Sequence, residues 1–84
     1  MKPVILPAPN ELFFSDLYKI EAVRNGYPNL EGVEFNDGYI LIKLRHYHSF
    51  RKFVIIRVNQ ADYEKYFTLD EQTFDKTDIP IYTL

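Results

Sequence analysis

The chain has 84 residues, ten Lys and Arg against twelve Asp and Glu, a net charge of −2, seven Phe, seven Tyr and no Cys. A chain of that length is one domain, 1–84, near the lower limit at which enough surface is buried to fold alone. The missing Cys excludes a disulfide framework, a thiol nucleophile and a cysteine metal site. Modest acidity argues against non-specific nucleic-acid binding by the whole molecule, and no long apolar run or signal layout is present, so no membrane contact and a cytoplasmic location are expected.

Residues 1–9 (MKPVILPAP) contain three prolines and read as an extended arm, because each proline lacks an amide donor and fixes φ. Asn10 is placed to cap a helix, with Glu11 in its first turn where the helix dipole favours a negative charge. Leu12, Phe13, Leu17, Ile20 and Val23 then fall on one side of a helical wheel, and Asn25-Gly26 followed by Pro28 ends the run. The spacing predicts an amphipathic helix, although the alternation in Tyr18–Val23 is also compatible with a strand.

Val33–Asn36 runs into Asp37-Gly38, a preferred two-residue hairpin turn, and then into Tyr39–Arg45. That turn places Phe35 opposite Ile40, Glu34 opposite Leu41 and Val33 opposite Ile42. A second hairpin turning at Tyr47-His48 would place Arg45 opposite Phe50, Ile42 opposite Phe53 and Ile40 opposite Ile55. With side chains alternating between faces, the two registers agree on a core face of Val33, Phe35, Ile40, Ile42, Leu44, Phe53 and Ile55. Asn59 is a cap for a short helix over Gln60–Phe67, with Asp62 at its third position. Thr68–Asp78 is polar and turn-like, and 79–84 is an extended tail or edge strand restricted by Pro80. The expected fold is α+β, ordered α-β-β-β-α-β, with the N-terminal helix packed on a three- or four-stranded antiparallel meander.

Charge is segregated along the chain. Gly38–Gln60 holds Lys43, Arg45, Arg51, Lys52 and Arg57 with no acid, whereas the segments before and after it carry −3 and −4. On the expected register, the second sheet face has an apolar centre of Leu41, Val54 and Ile56. Its basic, aromatic hairpin end carries Lys43, Arg45, Tyr47, Phe50 and Lys52, with Tyr39 on the same face. An apolar centre inside a charged rim is how protein interfaces are commonly built. The competing structural reading is that the N-terminal arm or C-terminal tail lies across that centre. The expectation is a non-enzymatic interaction module whose partner is another protein or a second copy of the chain.

The same residues suit single-stranded nucleic acid, with cations on phosphates and Tyr39, Tyr47 or Phe50 stacking on bases. The RNA-recognition signature is not met, because Arg51-Lys52-Phe53-Val54-Ile55-Ile56 lacks the required glycine. His46 and His48 have metal-ligand spacing but no third His, and exposed loop histidines are the ordinary explanation. Ser49 beside His48 is not a triad, and the three glycines sit at turns rather than in a phosphate loop, so no enzyme and no cofactor are expected. Asp62, Glu64, Asp70, Glu71, Asp75 and Asp78 could imitate phosphate spacing if they lined one surface. That possibility, with the small size and Asn-, Tyr-, Ile- and Lys-rich texture, suits a phage-type accessory or inhibitor protein.

Overall fold

Asp37-Gly38 is the local feature that organises the sheet. In a computed structural model, which describes residues 15–64 and 73–84, Gly38 adopts φ 74°, and the Asn36 side chain accepts from the Asp37 amide at 2.9 Å. Glycine meets the positive φ without the Cβ clash that other residues suffer. The turn joins β1 (Asn29–Asn36) to β2 (Tyr39–Arg45) in the expected register, with Val33, Glu34 and Phe35 opposite Ile42, Leu41 and Ile40. β1 begins earlier than the alternation indicated. Glu31 is an extra residue between Leu30, which faces Leu44, and Gly32, which faces Lys43. A bulge of this kind lets Leu30 and Val33 both reach the core side despite their odd spacing.

The second hairpin differs from expectation. β3 (Phe53–Asn59) pairs antiparallel with β2, placing Arg45 opposite Phe53, Ile42 opposite Ile56 and Ile40 opposite Val58. Arg45 thus meets a residue three positions beyond Phe50, and His46–Lys52 forms a seven-residue loop rather than a two-residue turn at Tyr47-His48. An odd shift moves every β3 side chain to the other face. Val54, Ile56 and Val58 therefore join Val33, Ile40, Ile42 and Leu44 in the core, while Phe53 and Ile55 point the opposite way.

β4 (Ile81–Thr83) lies beside β3, completing the order β1-β2-β3-β4. It runs parallel to β3, so the sheet is mixed where a wholly antiparallel one was expected. Residues 60–80 between the strands are long enough for the crossover that a parallel pair requires. Pro80, which has no amide to donate, stands just before β4, and its carbonyl accepts from Ile55 at 2.9 Å.

Helix covers the core face. Residues 15–17 are helical, and a second short segment, α1 (Glu21–Arg24), follows an extended Ile20 at φ −90°, ψ 120°. The single helix expected through this region is thus interrupted. A helical wheel tests which side chains share a side, and Leu17 and Val23 are indeed buried, but it does not test backbone continuity. Asn59 caps α2 (Gln60–Tyr63), its side chain accepting from the Ala61 amide at 2.9 Å. The extended arm 1–9, the expected helix start at Asn10–Phe13 and the continuation of α2 to Phe67 fall outside the described residues, as do Asp70 and Glu71.

The outer face is partly apolar, with Ile55 and Leu41 buried on it among Glu34, Lys43, Arg45 and Arg57. Residues 73–76 help to cover it. A Cβ built on Gly32 would lie 3.4 Å from the Phe74 ring, and Lys76 Nζ donates to both Glu34 carboxylate oxygens (2.9 and 2.7 Å) and to the Phe74 carbonyl (3.1 Å). Glu34 is only 4% exposed, so its charge has little access to water. Removing one partner of such a pair leaves the other buried and uncompensated. Lys76→Met should therefore destabilise the fold by about 2 kcal/mol or more in urea denaturation, with Glu34→Gln in the same background recovering much of the loss.

Tyr63 fastens α2 to the N-terminal helical turn, its hydroxyl donating to Asp16 Oδ2 at 2.7 Å. That bond, with Lys19 Nζ 3.1 Å from Oδ1, holds the Asp16 carboxyl below its ordinary value. A depressed carboxyl favours the folded state above the ordinary carboxylate range and loses that contribution as pH falls through the lower folded value. Tyr63→Phe should move Asp16 back up towards an ordinary titration, as followed by its side-chain carboxyl carbon in NMR.

Candidate functional interface

The nine residues expected to form one face separate into four groups. Val54 (2% exposed) and Ile56 (0%) are core residues beneath the helices, not the centre of an outer interface, because of the register difference between β2 and β3. Leu41 is on the outer face as expected but only 7% exposed. Lys43 lies mid-face, its Nζ 4.2 Å from the Phe53 ring centroid and 5.7 Å from that of Phe74. The apolar centre therefore offers a partner little surface.

Tyr39 is at the far end of the sheet, where the Arg57 guanidinium stacks 3.6 Å from its ring centroid. Arg57 Nε is buried there without a hydrogen-bond partner. A cation over an aromatic face gains from the ring quadrupole, which offsets part of that loss.

The remaining residues meet at the β2–β3 loop, Arg45 from the end of β2 and Tyr47, Phe50 and Lys52 from within the loop. Its seven residues are closed by His46 N–H donating to the Lys52 carbonyl at 2.9 Å. Inside it, the His48 amide donates to His46 Nδ1 (3.1 Å) and the Arg51 amide to Ser49 Oγ (3.1 Å). These side-chain acceptors replace the glycines that a tight turn would need. The loop is docked onto the connection after α1: the Tyr47 amide donates to the Gly26 carbonyl at 2.9 Å, and the His46 ring meets Tyr27 edge-on at 5.1 Å.

Arg45 is half-buried under the loop rather than presented to solvent. Its Nε is 2.5 Å from Glu31 Oε1, Nη1 donates to the His46 and Ser49 carbonyls (3.2 and 3.4 Å), and its guanidinium carbon is 5.0 Å from the Phe50 ring centroid. Above it, Phe50 is 84% exposed, with exposed Arg51 and Lys52 following and Tyr47 54% exposed alongside. The Tyr47 and His48 rings pack against each other at 3.8 Å. Neither Arg51 nor Lys52 has an acidic partner among the described residues.

His46 and His48 are 6.2 Å apart between ring centroids, and His46 Nδ1 is engaged by the His48 amide. Among the described residues no three His, Cys, Asp or Glu come together as a metal centre needs. Of the acidic residues considered as a phosphate imitation, Asp62, Glu64, Asp75 and Asp78 are exposed. The Thr77 amide bonds to the Asp75 carboxyl, lowering its titration and giving it a turn-forming role.

Two contributors were missed in the sequence. Glu31 carried no signal apart from charge, because the bulge that aims it breaks the strand alternation. Gly26 was recognised as a helix terminator but also makes room for the loop. It adopts φ 128°, and a Cβ added there would lie 2.8 Å from Tyr47 Cε1 and 3.0 Å from His46 Nε2. Gly26→Ala should thus cost about 1–3 kcal/mol by chemical denaturation and shift the NMR signals of His46 and Tyr47 most strongly.

No helix among the described residues is long and apolar enough to cross a membrane. No protein-family model, curated protein or solved structure matches the chain.

Proposed function

We propose that this chain is a non-enzymatic interaction module that takes a protein partner on the β2–β3 loop. The observation that carries the reading is the placement of Phe50, 84% exposed on a loop whose backbone is held by internal hydrogen bonds. A large aromatic ring gains most when it enters an apolar pocket, and a fixed loop loses less entropy on doing so. Arg51 and Lys52 add positive charge beside it, so the complementary surface is an apolar pocket with an acidic rim. One ring beside two cations is a small recognition element, which corresponds to modest affinity unless the partner also touches Tyr47 and His48.

Single-stranded nucleic acid is the second reading, favoured by the same exposed ring beside two cations that have no acidic partner among the described residues, since base stacking needs an accessible aromatic face. The apolar centre is not part of either proposal, because Val54 and Ile56 lie in the core and Leu41 is buried.

A pull-down from the native host, followed by titration with the captured protein, tests the main reading. Phe50→Ala should weaken binding by about thirtyfold, corresponding to ~2 kcal/mol, without lowering the unfolding midpoint. Arg51→Glu with Lys52→Glu should slow association and reduce its salt dependence. Unchanged affinity in both variants would remove the loop as the interface. Capture of RNA instead, with affinity falling steeply in salt, would establish the second reading.

A further inference from the structure

We infer that Glu31 is a positioning residue: the β1 bulge aims its carboxylate at Arg45, and Arg45 in turn fixes the loop that presents Phe50. The functional consequence rests on the reading of this loop as the recognition element, but the relay is a property of the free protein.

Leu30 faces Leu44 and Gly32 faces Lys43, leaving Glu31 without a cross-strand partner on β2. A bulge bends the strand and redirects the side chain of its extra residue. Here that side chain reaches the guanidinium of Arg45, the last residue of β2, with Nε 2.5 Å from Oε1. Binding the carboxylate through Nε orients the planar guanidinium, whose donors have a fixed fork geometry. Nη1 is then directed at the His46 and Ser49 carbonyls, and the cation lies 5.0 Å from the centre of the Phe50 ring.

A simple cross-strand ion pair would need only opposite charges at 31 and 45. The relay needs more, because a carboxylate at 45 has no proton to donate to the two loop carbonyls. Lysine at 45 would keep the charge but not the fork that engages a carboxylate and two carbonyls together. The two explanations consequently make opposite predictions for a charge reversal.

The test compares the full chain with Glu31→Gln and with the double variant Glu31→Arg plus Arg45→Glu, using solvent-exchange NMR of the free protein and urea denaturation. Glu31→Gln should accelerate exchange of the His46, Ser49 and Arg51 amides by about tenfold, with the central β2 and β3 amides changing by less than about threefold. The charge reversal should recover the unfolding midpoint while leaving the loop amides fast and the Phe50 ring signals moved towards those of an unconstrained ring. Restored loop protection in the reversed pair would show that Glu31 and Arg45 merely clamp two strands. Unchanged loop exchange in Glu31→Gln, or uniform acceleration throughout the sheet, would likewise overturn the relay. These readouts require no partner, so their outcome is separate from that of Phe50→Ala in a binding assay.

Discussion

The fold depends on β3 being apolar on both faces. Val54, Ile56 and Val58 enter the core on one side, and Ile55 is buried on the other. A strand of this kind needs cover on two sides, and each buried aliphatic side chain contributes on the order of 1.5–3 kcal/mol relative to exposure. Helical residues 15–17 and α1 cover one side with Leu17, Ile20 and Val23. Residues 73–76 cover part of the other, and β4 extends the sheet beyond β3. Residues 73–84 are thereby recruited into the structure, which is why the polar, turn-like composition of 73–78 is misleading. Phe74 and Lys76 are packing residues within that segment.

Burying Glu34 is a consequence of the same arrangement. It sits opposite Leu41 on the outer face, and both are buried there, Glu34 at 4% and Leu41 at 7% exposed. A buried carboxylate is tolerated only with its lone pairs engaged, and Lys76 engages both oxygens. The pair fixes residues 73–76 as well as neutralising the carboxylate, since Lys76 reaches Glu34 only when that segment lies against β1. Ion pairing here selects one position among the many that apolar contact alone would permit.

How much was legible in the sequence follows from the strength of each local signal. Asp37-Gly38 restricts the backbone enough to dictate its turn, and every expected pair across it was found, from Phe35–Ile40 to Val33–Ile42. Asn59 likewise announced its helix through a single acceptor at the right position. The next hairpin had no such marker. His46–Lys52 contains neither Gly nor Asn, and Val54-Ile55-Ile56 is apolar without interruption, so alternation could not distinguish registers that differ by an odd number of residues. The difference carries into the candidate site, because an outward Val54 and Ile56 would make an apolar centre that the sheet does not expose. The parallel direction of β4 was equally hidden, since no property of Ile81–Thr83 itself distinguishes a parallel from an antiparallel neighbour.

The basic stretch looked uniform in sequence but is divided by the fold according to what each cation can reach. Lys43 and Arg57 are committed to aromatic rings on the sheet, and Arg45 to Glu31 and the loop carbonyls. A cation already holding a carboxylate and two carbonyls has few donors left for a partner, so counting charges overstates the binding potential of this segment. Arg51 and Lys52 differ because they follow Phe50 in the exposed part of the loop, where no acid among the described residues pairs with them. The same loop that displaced the strand register also places these two charges beside an exposed ring. The candidate interface therefore arises from the absence of a tight turn: a two-residue connection would have drawn Phe50 and Lys52 into β3, whereas seven residues leave them projecting from its end.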